Sequence, residues 1–229
     1  METIDKVVGL VPAAGFAKRI STLECSKEIY PITSFENKTK VVSSYLLDSF
    51  KTAGIQEAYI VLRAGKWDIP NYFKNGSDSG LDLAFVVTEA TSGVPHTINK
   101  AYSFLSRYRV AFGFPDILSR PQNVFELLLK KQETTNAELV LGLYKATKPD
   151  KVDMISFDSS GYVDDIHIKP ENTDLTYTWI NAVWTPTFTN FLFEYLKDAG
   201  KSIPTKNEQR ELYIGDIIRE AIGSGLSTS

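Results

Sequence analysis

Residues 13–19, AAGFAKR, set small residues and two cations directly behind the apolar run Val7–Val11. A loop of that kind at the end of a buried strand can surround a polyphosphate, because oriented backbone N–H groups and formal charges both stabilise an anion. The same composition also serves an ordinary tight turn, so the loop alone leaves both uses open. Neither GxxxxGK[ST] nor GxGxxG is present, so any phosphate site here is neither a P-loop nor a dinucleotide fingerprint. Cys25 is the single cysteine and His96 and His167 are the two histidines, which leaves no Cys/His metal cluster and no internal disulfide. Both histidines read as surface or loop residues without a chemical role.

Chemistry of this sort requires a rigid scaffold, and 229 residues with 43% hydrophobic content are enough for a large α/β core. The 25 basic and 28 acidic residues balance to a net charge of -3, which points to no nucleic-acid surface, so an anion site must be local. No stretch reaches the roughly 18–20 apolar residues of a bilayer span. The opening VVGLVPAAG reads as a buried strand rather than a signal segment, since the apolar run is short and Asp5 precedes it. A reducing, cytoplasmic setting is expected.

After the first strand, strands and helices alternate. Val42, Tyr45, Leu46, Phe50 and Ala53 fall at helical spacing before Gly54, and Ala58–Leu62 predicts the second strand. Leu83–Val87, a helix over about 97–106, Val110–Phe112, a helix over about 122–133 and the strand 138–144 continue the pattern. The run predicts a doubly wound, mainly parallel sheet. Beyond Pro149 the texture changes: 154–157, the turn DSSG and 162–168 read as a hairpin, followed by a strand at 179–185 and two helices. One domain is expected over residues 1–229, with 1–145 as the doubly wound core and 146–229 as a small antiparallel region with closing helices. The terminal GSGLSTS reads as frayed.

The opening segment VVGLVPAAGFAKRISTLECSKEIYPI resembles the signature of the nucleotide-sugar pyrophosphorylases, the glucose-1-phosphate thymidylyltransferases and their relatives, which runs roughly AAGxGTRLxPLTxxxPKxLLPV. Ala13, Ala14, Gly15, Arg19, Lys27 and Pro31 fall on its defining positions. Further along, VAFGFPD is similar to the family's GD at a central strand end, which places Asp116 on a magnesium-binding carboxylate. ELYIGDII is similar to its EITD segment and places Asp216 on the second; VDDIHIKP is similar to its EKP and places Lys169 on the acceptor-phosphate lysine. VTEATSGVP resembles the nucleobase loop, with Gly93 on its glycine and Thr88 or Glu89 on its base-reading position. Without the resemblance, Asp116 would serve equally as a turn cap and Asp216 as a helix cap.

The resemblance implies a nucleotidyltransferase fold related to the GT-A glycosyltransferases, and Mg2+-dependent transfer of a nucleotidyl group from a nucleoside triphosphate to a sugar 1-phosphate or related acceptor. Such a reaction requires no protein nucleophile; it depends on positioning and charge neutralisation. Arg19 would hold the triphosphate and leaving pyrophosphate, Lys27 the α-phosphate and acceptor phosphate, and Lys169 the acceptor phosphate. Lys18 joins Ala13, Ala14 and Gly15 in the phosphate loop. Expected partners are dTTP, UTP or CTP and a phosphorylated small molecule, with no nucleic acid and no membrane; a homo-oligomer is compatible.

The sequence departs from the family at Ala17, where a second glycine is usual, at Lys18, and at Ser26, where a proline precedes the lysine. Ile168 replaces the acid of EKP, and Asp153 stands where a glycine is usual, both on the expected sugar side. These changes imply an acceptor other than plain glucose 1-phosphate, such as one with a differently placed hydroxyl or amino group. A choline-like variant would use Asp153 with Tyr177, Trp179 and Trp184. Two other readings remain open, a glycosyltransferase, disfavoured because FPDIL lacks a DxD, and a non-catalytic binding relative.

Overall fold

The computed structural model describes residues 5–16, 23–33, 37–199 and 211–229. Strands are β1 (Val7–Ala13), β2 (Pro31–Thr33), β3 (Thr39–Val41), β4 (Glu57–Arg63), β5 (Asp82–Thr88), β6 (Arg109–Gly113), β7 (Leu139–Lys145), β8 (Met154–Phe157), β9 (Val163–His167) and β10 (Tyr177–Trp184). Helices are α1 (Val42–Thr52), α2 (Asp68–Phe73), α3 (Val94–Asn99), α4 (Tyr102–Leu105), α5 (Val124–Thr135), α6 (Pro186–Ala199) and α7 (Ile214–Gly223).

The parallel core runs β5-β4-β1-β6. β1 is apolar on both faces, as a strand covered by helices on each side must be. Gly9 in that strand admits α1: a Cβ there would come within 2.8 Å of Phe50 and of Ala58. Residues of α1, α2 and α5 cover one face of the sheet, and residues of α3, α4, α6 and α7 cover the other. The doubly wound α/β expectation therefore holds.

Three expectations need correction. β7 does not extend the parallel run; β10 lies between it and β6, antiparallel to both. The reason is legible in β10 itself, whose eight residues are nearly all buried and so demand a central position. The helix expected over 97–106 is two short ones, α3 and α4, because i to i−3 bonds at Lys100 and Ala101 tighten the chain between them. Finally, the C-terminal residues are ordered. Thr228 pairs in parallel with Leu139, the Leu141 N–H donates to Ser229 O at 2.8 Å and the Val163 N–H donates to Thr228 O at 2.9 Å. The outer edge of β7 would otherwise expose a row of amides and carbonyls, and the tail covers part of it.

The β8–β9 hairpin forms where the sequence predicts it, branching from the start of β10. Its turn is closed by the Asp158 carboxylate, which accepts the Ser160 and Tyr162 N–H groups at 2.9 Å each. A separate two-stranded piece, β2–β3, was not expected from the sequence.

Candidate active site

The carboxyl ends of the parallel strands gather most of the expected site residues, as open α/β sheets require. Ala13 and Ala14 are buried at the end of β1, whereas Gly15 is exposed with open space above its Cα, leaving the backbone approachable. Ala17, Lys18 and Arg19 lie outside the described residues.

The loop is anchored from below by Lys66, which had no signal in the sequence. Its ammonium donates to Ala13 O at 2.8 Å, to Gly15 O at 3.4 Å and to the Glu28 carboxylate at 2.6 Å. Lys66 and Glu28 are 6% and 1% exposed, so this is a buried ion pair. Burial pushes the Lys66 pKa below the usual lysine value, against the opposing pull of Glu28. Next to it, Ser26 uses the position where the family has proline: its N–H and hydroxyl donate to the Asp68 carboxylate at 2.6 and 2.8 Å. Burial raises the Asp68 pKa, but these bonds together outweigh it and the net shift is downward. The segment carrying Lys27 is thereby fixed to the first turn of α2.

Lys27 reaches across to Asp116, with Nζ to Oδ2 at 2.5 Å. Two expected site residues 89 positions apart thus meet directly, from the segment after β1 and the turn after β6. Both side chains are partly open to solvent, and such a pair contributes only about 0–1 kcal/mol. That is too little to make it a structural device. Phe114 and Ile117, on either side of Asp116, line a pocket of about 490 Å³.

Asp153 and Lys169 line the same pocket. Lys169 follows β9 with φ of 41°, an uncommon conformation for a side-chain-bearing residue, and its Nζ lies 3.4 Å from the centre of the Tyr213 ring. Asp153 and Ile168 both pack on the first turn of α7 at Gly215, where a Cβ would overlap the Asp153 carboxylate and come within 2.8 Å of Ile168. Asp216 follows, 4% exposed, its Oδ2 accepting the Tyr213 N–H at 2.9 Å. Helix capping is thus a use of Asp216 that the structure displays. Among the described residues no group of three or more His, Cys, Asp or Glu is arranged to hold a metal.

Thr88 ends β5, with its carbonyl engaged by the Ala64 N–H at 2.9 Å, and Glu89 is exposed in the loop that follows. Gly93 has φ of 131° and a Cβ there would lie 2.6 Å from Leu212 O, so the loop and the start of α7 need a glycine to approach. Its neighbour Val94 borders the pocket of Asp153 and Lys169. Of the aromatic set considered for a choline-like group, only Trp179 lines that pocket. Trp184 packs on Phe112 and Phe188 in the core, and Tyr177 packs on Phe157.

The fold is that of the nucleotide-sugar pyrophosphorylases. A structure from Bacillus anthracis assigned as a glucose-1-phosphate thymidylyltransferase, solved with sucrose, superposes with a TM-score of 0.80 at 14% identity, covering 97% of this chain and 86% of the other. UDP-glucose pyrophosphorylase matches in its UDP-glucose complex, with a TM-score of 0.77, and in its apo form, with 0.76. Both are 18% identical, over 98% of this chain and 90% of theirs. No family model matches the sequence, and no curated protein matches it.

Proposed function

We propose that the protein is a nucleotidyltransferase that joins the nucleotidyl group of a nucleoside triphosphate to a sugar 1-phosphate or related phosphorylated molecule and releases pyrophosphate. The observation that carries this reading is the Lys27–Asp116 pair, which ties the segment after β1 to the turn whose Phe114 and Ile117 line the pocket of Asp153 and Lys169. A phosphate oxygen of the acceptor attacks the α-phosphorus, and the pyrophosphate leaves from the opposite side. Lys27 can exchange Asp116 for phosphate oxygens as charge develops, Lys169 orients the acceptor phosphate, and Arg19 with Lys18 serves the triphosphate.

The donor set suits Mg2+, a hard cation that accepts one or two carboxylates and completes its shell with water and phosphate oxygens. Asp116 is open enough to offer an oxygen, and Asp216 would contribute from the start of α7. Bound there, the metal would neutralise charge on the phosphates. Thr88, Glu89 and Gly93 would meet the base. On this reading Ala13, Ala14 and Gly15 form the floor under the phosphates.

Pyrophosphate release, measured with dTTP, UTP and CTP against a panel of sugar phosphates, tests the reading. Release with at least one pair is expected, and Asp116→Asn should lower turnover more than about a hundredfold while the thermal unfolding profile is kept. Triphosphate binding without release for any pair would overturn it in favour of a non-catalytic binding protein.

A further inference from the structure

We infer that the acceptor carries a second anionic group besides the phosphate that attacks, and that Lys145 and Lys148 recognise it. The inference rests on the nucleotidyl-transfer reading above, whose acceptor it narrows to a doubly anionic molecule.

The pocket holds more positive charge than one phosphate would occupy. Lys145, Lys148, Lys151 and Lys169 line it, against the single carboxylate of Asp153. Lys169 is the acceptor-phosphate residue of the proposed reaction, and Lys151 is satisfied by Asp150 at 2.8 Å. Among the described residues, neither Lys145 nor Lys148 has an ion pair or a hydrogen bond to an acid. Asp150 is the acid nearest Lys148 in sequence; its pKa is lowered first by Lys151, and Lys148 acts on it only as a lesser, longer-range charge.

Position argues the same way. Lys145 is the last residue of β7, paired with Tyr177, and Lys148 opens the turn at Pro149–Lys151, so both sit on a scaffolded edge rather than on a free loop. Trp179 and Phe114 line the same pocket and give it an apolar wall. Beside Asp153 at Gly215, Ile168 stands where the resembled family has an acid, so that position adds no negative charge. A cleft lined by one sign of charge concentrates ligands of the other. A volume of about 490 Å³ is ample for a hexose with two anionic substituents. The second anion is a carboxylate or a phosphate, which share this recognition chemistry.

Three acceptors separate the possibilities: glucose 1-phosphate, glucuronic acid 1-phosphate and glucose 1,6-bisphosphate, in the pyrophosphate-release assay. At least one doubly anionic acceptor should exceed glucose 1-phosphate about tenfold in kcat/KM, mainly through KM; the uronate leading identifies a carboxylate, the bisphosphate a phosphate. The double variant Lys145→Ala, Lys148→Ala should reduce that ratio about tenfold, and Lys145→Arg, Lys148→Arg should restore it. Equal or better use of glucose 1-phosphate, or a ratio unmoved in the alanine variant, overturns the inference. Should no acceptor support release, titration calorimetry with the same three compounds decides. Tighter binding of a doubly anionic compound, lost in the alanine variant, upholds the second-anion site although nucleotidyl transfer has failed. Equal or absent binding overturns both.

Discussion

The two sides of the cleft are held in different ways. Under the β1 loop, the anchor is a buried ion pair, Lys66–Glu28, that also bonds the loop's own carbonyls, with Ser26–Asp68 beside it. On the side proposed to take the acceptor, Lys169 rests on the Tyr213 ring and Asp153 on the backbone of Gly215, while three further lysines border the pocket along 145–151. The first arrangement fixes a backbone in one shape, which suits phosphates common to every nucleotide. The second sets side chains on the ends of strands and on a turn, where a substitution changes recognition at little cost to the fold.

The largest effect should come from breaking the buried anchor. Lys66→Met leaves the Glu28 carboxylate buried without its cation and frees the carbonyls of Ala13 and Gly15, which should cost about 3–5 kcal/mol in denaturant unfolding. The double variant Lys66→Met, Glu28→Leu should recover much of that stability, because the orphaned charge is gone, yet triphosphate binding should stay weakened because the loop has lost its support. Full recovery of binding would show that the pair acts only on stability, and the contrast between the two sides would lose its basis.

Next is Gly215→Ala. A Cβ there overlaps Asp153 and crowds Ile168, so the acceptor wall must shift, at about 1–3 kcal/mol for overpacking. The acceptor KM should rise while the triphosphate KM changes less than about twofold; a split of that kind is what separate holding of the two sides requires. Equal effects on both constants would mean that the start of α7 couples them. Tyr213→Leu should be milder, since a cation–π contact open in part to solvent contributes about 0.5–1 kcal/mol, and it should appear as a two- to fivefold rise in acceptor KM.

The contrast also explains what the sequence could reveal. Lys27, Asp116 and Lys169 were legible because each belongs to a spaced segment that resembles a known signature, and the structure brings the first two into contact. Lys66, Glu28 and Asp68 were not, since a lysine and two acids in isolation read as solvated, and only packing 38 positions apart in the chain makes Lys66–Glu28 a buried pair. The same limit applies to β7 and the tail. Apolar periodicity marks a strand but not its neighbour, so nothing in LVLGLYK showed that β10 would intervene or that Thr228 would cover the far edge. Lys145 and Lys148 are the intermediate case: visible as charges, informative only once they border a cavity.

The smallest effect probes the proposed nucleotide side through His96 in α3, three residues after Gly93. Burial, and secondarily the charge of Lys100, hold its pKa below the ordinary 6.5. The unfolded chain therefore takes up a proton near pH 6.5 while the folded protein still resists it, so His96 costs no stability above that pH and lowers it progressively as the pH falls toward the depressed folded value. His96→Gln should flatten this part of the stability profile and leave the plateau above pH 7 unchanged. If the contrast between the two sides is right, acidification over this window should weaken triphosphate binding before acceptor binding, because α3 begins at the loop of Gly93. Acceptor affinity falling first in the wild-type protein, or the same acid sensitivity persisting in the variant, would place the responsible proton elsewhere.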